Sequence, residues 1–155
     1  GGAFWVGTAL SMKFYIVPTI SATGEAGQKF AGHLMGKTKF TNLMMISSAS
    51  SILAGFILYW IDSSGFTSAW MRSGAGLGFG IGAVFALIGW AYGILIGQTN
   101  KAMAKLGAQF QGKPTPEQLT AMQTLQKKQG LYSTVNAATL LLALVFMSFA
   151  RYFTI

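Results

Sequence analysis

Lys13 is the side chain whose type and position most need a chemical explanation. It stands in AFWVGTALSMKFYIVPTI, residues 3–20, with apolar neighbours on both sides. In a helix crossing a bilayer it would lie ten residues past Ala3, or ~15 Å along the axis at 1.5 Å per residue. That is too far for easy snorkelling back to the surface near Ala3. An ionised group at mid-bilayer costs ~2.5–3.5 kcal/mol even on lenient scales, so it normally faces a cavity or a partner. The chain's carboxylates, Glu25, Asp62 and Glu117, all fall outside the apolar stretches. Lys13 is therefore expected to be neutral, wetted, bonded to Ser, Thr, Tyr or carbonyl oxygens, or paired outside this chain. It is the candidate intramembrane charge of functional significance.

Other chemistry is sparse. His33 is the single histidine, so a bis-histidine haem cannot form within the chain and a histidine metal cage is not expected. Met12, Met44, Met45 and Met147 have the chemistry to meet copper(I), but methionine in apolar helices ordinarily fills gaps. There is no cysteine, hence no disulfide and no thiolate metal site. The glycines at 76, 78, 80 and 82 imitate a dinucleotide-binding loop, yet no strand precedes them and an apolar run follows, so that match fails. No nucleophile stands with a base and an orienting group, and no carboxylate pair or phosphate loop is present. Neither an enzyme nor a bound cofactor is expected.

The elements that must position these residues are membrane spans. Of 155 residues, 52% are hydrophobic and 9% charged, too few charges for an ordinary soluble domain. Residues 74–97 run without a charge, and ~20 apolar residues in a helix cross a ~30 Å hydrocarbon core. Residues 3–20, 43–61 and 132–153 are the other apolar stretches. The expected fold is an all-α integral membrane bundle of four transmembrane helices, forming a single domain over residues 1–155. The start of span one resembles a signal peptide, but it lacks a basic leader and Lys13 interrupts its core, so it reads as a retained helix. The chain opens Gly-Gly rather than with Met, which leaves room for residues upstream.

Small residues set the expected packing. Gly74, Gly78 and Gly82 recur four apart, as do Gly89, Gly93 and Gly97. Residues at this spacing share a helix face, and in lipid such a face lets another backbone approach closely. Ser47, Ser51 and Gly55 make a similar row in span two and are the expected partner of the glycine rows. Pro18 is tolerable near the end of span one if neighbours satisfy the carbonyl it frees. Between spans one and two, Lys29, His33 and Lys37 recur four apart, which fits a short helix in the interface with its cations toward headgroups.

Residues 98–129 continue the helical pattern beyond the membrane. Ala102, Met103, Leu106 and Phe110 share one face, the break falls at Gly112-Lys113-Pro114, and Thr115-Pro116-Glu117-Gln118 is a helix start. The arms 98–111 and 116–129 predict an antiparallel hairpin projecting ~21 Å. Lysines settle the expected orientation. Loop one carries Lys29, Lys37 and Lys39, loop three carries Lys101, Lys105, Lys113, Lys127 and Lys128, and loop two carries Arg72 alone. The positive-inside rule places loops one and three in the cytoplasm, both termini outside, and the hairpin inside. The net charge of +8 then fits anionic lipids rather than nucleic acid.

Several stretches carry a resemblance. Trp5-x-Gly7, Pro18, the run Gly55-x-x-Leu58-Tyr59-Trp60-x-Asp62-Ser63-x-Gly65-Phe66, Gly76-Leu77-Gly78-x-x-Ile81-Gly82 and Ala150-Arg151-Tyr152 together resemble a group of uncharacterised bacterial four-helix integral membrane proteins. That group is distantly similar to the membrane domain of copper-resistance D proteins. The histidines of that domain are absent from the matching spans here, so the resemblance implies fold and not copper handling. It also implies a multi-pass protein of the bacterial cytoplasmic (inner) membrane. The expected function is that of a non-catalytic accessory or structural subunit, with other membrane protein subunits as partners. The alternative is a small permease or metal-handling protein, resting on Lys13, Pro18 and the methionines.

Overall fold

A computed structural model describes residues 2–109 and 115–152 of the chain. Among the described residues the fold is all-helical and contains no strand. The helices are α1 Gly2–Ser11, α2 Val17–Ala22, α3 Gly24–Gly36, α4 Phe40–Asp62, α5 Gly74–Gly107 and α6 Pro116–Phe149. A π-helical turn, Met12–Ile16, joins α1 to α2, and short 3-10 turns cover Ala69–Arg72 and Ala150–Tyr152. Four helical stretches are long and apolar enough to cross a membrane: Gly2–Ala22, Phe40–Asp62, Gly74–Gly107 and Pro116–Phe149. This is a multi-pass membrane protein.

The π-helical turn has a local cause. Pro18 has no N–H, and in a regular α-helix its ring would collide with the carbonyl four residues back, that of Phe14. Widening the preceding turn relieves the collision, and the Val17 N–H donates to the Met12 carbonyl, one residue farther than an α-helix would allow. The Thr19 hydroxyl donates to the Tyr15 carbonyl at 2.6 Å, which satisfies an oxygen in the same region.

α5 and α6 form the central pair, and α1 packs against α4 and α6. Both long helices run unbroken through the positions where the apolar stretches end, at 97 and 132. The Thr115 cap is formed as the sequence predicts. Its hydroxyl accepts from the Gln118 N–H, and the Gln118 side chain accepts from the Thr115 N–H. The expected break at 112–114 lies outside the described residues.

The buried centre is small and rich in short side chains. Leu140, Ala137, Ala143, Asn136 and Thr139 on α6 are buried, as are Gly82, Gly89 and Thr99 on α5. Trp5 of α1 and Ser47 and Ser48 of α4 complete it. Large apolar side chains such as Leu53, Phe56, Ile57 and Leu58 point outward from α4, as they must where the surrounding solvent is hydrocarbon.

The turn after α4 is held by aromatic rings. Ser64, Gly65 and Phe66 all take positive φ, at 50°, 74° and 66°, which is costly for a bulky residue such as Phe66. The turn is compensated by Ser63, whose buried hydroxyl accepts from the Phe66 N–H at 3.0 Å. The Phe66 ring meets Trp60 edge-on at 5.0 Å, and Trp70 meets Tyr59 edge-on at 5.4 Å. The Tyr59 hydroxyl then donates to the Gly76 carbonyl at 3.3 Å, tying α4 to the start of α5.

Candidate functional site

Lys13 sits on the π-helical turn, and its Nζ donates to the Thr134 Oγ1 of α6 at 2.8 Å. The Thr134 hydroxyl donates its own proton to the Gly130 carbonyl at 2.8 Å. The donors therefore run in one direction, ammonium to hydroxyl to carbonyl, an arrangement in which each bond polarises the next. Of the alternatives open to Lys13, a hydroxyl within the bundle is the one found.

Its depth is also clarified. Thr134 is fifteen residues from Phe149 at the end of α6, ~22 Å away by helical rise. It is only six residues beyond the exposed Lys128, ~9 Å by the same rise. The Lys13 Nζ thus meets α6 on the part of that helix nearer Lys128 than Phe149.

A second polar contact lies deeper in the α5–α6 seam. The Asn136 Nδ2 donates to the Gly89 carbonyl at 2.6 Å, with both residues buried. Gly89 is a tight point of the seam. A Cβ there would stand 2.7 Å from Leu140 Cδ2, 2.9 Å from Leu140 Cγ and 3.1 Å from Thr139 Oγ1. Leu140 is 1% exposed and has no room to swing away. At Gly82 the added atom would stand 2.6 Å from Met147 Cγ and 3.3 Å from the Ala143 carbonyl. Farther out, the Gln129 Nε2 donates to the Asn100 Oδ1 at 2.6 Å, fastening the two rods beyond the apolar seam.

The expected packing residues therefore divide. Gly74, Gly78, Gly82 and Gly89 are buried along α5. Gly93 is exposed, and a Cβ on it would stand 3.6 Å from Asn136 Nδ2, an ordinary contact. Gly97 meets nothing within 4 Å. Ser51 in the serine row of α4 lies near α1: a Cβ on Gly2 would stand 3.9 Å from Ser51 Oγ. Ser51 itself donates to the Ser47 carbonyl at 2.6 Å. Gly55, last in that row, is exposed and meets nothing within 4 Å. A repeat of small residues sets a face but not which neighbour covers it.

His33 is exposed on α3. Met147 lies against Gly82 in the seam, while Met45 is 60% exposed on α4. No group of three or more His, Cys, Asp or Glu able to hold a metal ion occurs among the described residues. Thr134 and the pair Asn100–Gln129 escaped the sequence reading. The signal available for the α6 residues was the polar side chains at 129, 133, 134, 136 and 139 among apolar ones. Among known protein families, curated proteins and solved structures, none matches this chain.

Proposed function

We propose that this chain is a non-catalytic accessory or structural subunit of a larger membrane protein complex. The observation that carries the reading is Gly55. The row Ser47, Ser51, Gly55 begins buried in the bundle and ends on an open face, where a Cβ would meet nothing within 4 Å. Small residues on a lipid-facing surface gain little from lipid but permit close approach of another helix. Ser50 and Ala54, also exposed, widen that face. The proposed location is the bacterial inner membrane, with both termini outside, the hairpin in the cytoplasm, and anionic lipids around the basic loops.

Gentle solubilisation tests the reading. The chain should co-migrate with a larger assembly, and Gly55→Leu should abolish that association while the isolated bundle unfolds at an unchanged temperature. Migration as a single chain under conditions that preserve other membrane complexes would refute it.

A second reading, a small permease or metal-handling protein, has one observation in its favour. Lys13, in the interior of the first span, sits on a π-helical turn beside Pro18, and such turns are frequent at functional sites. Lys13→Met separates the two. A permease loses uptake or efflux with assembly intact, whereas an accessory subunit keeps all transport and changes only in stability or association.

A further inference from the structure

A second built feature lies at the corner where α2 turns into α3. Gly24, at φ +56°, reverses the chain. The two helices then press together at Gly27, where a Cβ would collide with the Ile20 carbonyl and the Thr23 side chain. Past this contact the walls stand apart and enclose an apolar groove of about 380 Å³, lined by Tyr15, Ile16, Thr19, Ile20, Ala26 and Phe30 among others. Tyr15 and Phe30 are 72% and 53% exposed at its open side. The threonine hydroxyls of the wall are already committed. Thr19 donates to the Tyr15 carbonyl at 2.6 Å and Thr23 to the Thr19 carbonyl at 2.7 Å. Their protons are turned into the helix backbone, so the groove asks for an apolar occupant.

Basic residues follow the groove wall along α3. Lys29 follows the lining residue Ala26 by three residues and His33 follows the lining residue Phe30 by three, and residues three apart are surface neighbours. Lys37 continues the row one turn on, at the end of α3. Lys29, His33 and Lys37 all have exposed side chains. Counting Glu25 against Lys29, Lys37 and Lys39 leaves the segment at +2, three lysines less one glutamate.

We infer that the α2–α3 corner is a binding site for one anionic phospholipid, an acyl chain lying in the groove and the phosphate headgroup against the cation row of α3. A neutral lipid would use the groove and forgo the cations. A free phosphate would use the cations and forgo the groove. Only an anionic lipid is matched by both halves, and the end of a membrane span is where such a molecule is held. The inference is independent of the accessory-subunit reading.

Native mass spectrometry of the full chain in a neutral detergent tests it. Dioleoyl phosphatidylglycerol and dioleoyl phosphatidylcholine, identical in acyl chains, are titrated separately. Phosphatidylglycerol should be retained as one tightly bound molecule, at least fivefold more strongly than phosphatidylcholine. A lysine near an anionic headgroup contributes about fivefold in affinity, so the pair Lys29→Gln and Lys37→Gln should lower phosphatidylglycerol retention on the order of tenfold. Removing the same charge from the hairpin, by Lys101→Gln and Lys105→Gln, should leave retention unchanged. Ala26→Phe, which fills the groove, should weaken both lipids, and inorganic phosphate should displace neither. Equal retention of the two lipids overturns the inference. So does an equal loss in the hairpin variant, which would mean a diffuse field, or full displacement by inorganic phosphate, which would mean a headgroup site without a groove.

Discussion

Thr134 is placed so that its single proton goes to the Gly130 carbonyl and its lone pair is left for Lys13. Thr134→Val keeps the shape and removes the acceptor, leaving the Lys13 nitrogen without that partner. A hydrogen bond to a charged group contributes about 1.5–3 kcal/mol. Thermal unfolding in detergent should therefore show a loss of about that size for Thr134→Val. In the Lys13→Met background the same change should cost much less, because the orphaned donor is gone. Additive losses would mean that the bond contributes nothing to the folded state. Glycines sort by the same logic. Gly89→Ala pushes an atom into the immobile Leu140 and should cost about 1–3 kcal/mol, while Gly93→Ala meets only an ordinary contact and should be near neutral. Equal costs at both positions would remove the seam argument.

At the scale of elements, α5 and α6 owe their continuity to sequence that never stops favouring a helix when the solvent changes. Gly97 and Gly130 interrupt neither helix, because each is a single unfavourable residue of about 1 kcal/mol inside a long packed rod. The arms are fastened by the Asn100–Gln129 bond and started by the Thr115–Gln118 capping box. Hydrogen exchange should accordingly find slow amides at 101–107 and 120–129, the arms opening as one unit. Asn100→Ala should accelerate both arms together while leaving residues 136–147 protected. Thr115→Ala should cost about 1 kcal/mol of arm stability, seen as faster exchange over the first turns of α6 only. Fast exchange throughout both arms in the unaltered protein would show that the hairpin does not stand alone.

For the whole molecule the governing asymmetry is charge. Eight lysines lie in loops one and three, and Arg72 alone lies in loop two. The expected outcome is that Ser64→Cys reacts with an impermeant thiol reagent from the outside of intact cells and Ala108→Cys does not. Both positions are exposed, so a failure to label reflects the membrane and not burial in the fold. The reverse pattern would invert the bundle. In the expected orientation the aromatic corner of Tyr59, Trp60, Phe66 and Trp70 shares the outer boundary with Trp5, where amphipathic rings favour the headgroup level.

Composition and hydropathy were sufficient for the four helices, since a charge-free run of span length has no other stable state in hydrocarbon. The capping box at Thr115 was equally legible, because its partners are three residues apart and need no tertiary contact. The small-residue rows were legible as faces, but periodicity says nothing of direction. Only packing turned Gly82 and Gly89 toward Met147 and Leu140, and Ser51 toward α1. The π-helical turn before Pro18 was hidden because proline dictates what must be avoided and not which distortion avoids it. Lys13 shows the division most plainly. Its sequence position required a lysine inside an apolar span to be neutral, wetted, bonded to an oxygen or paired outside the chain, a requirement set by desolvation alone. Which oxygen it found, Thr134 at a separation of 121 residues, was decided by how α1 crosses α6, and no local property of either helix encodes that crossing.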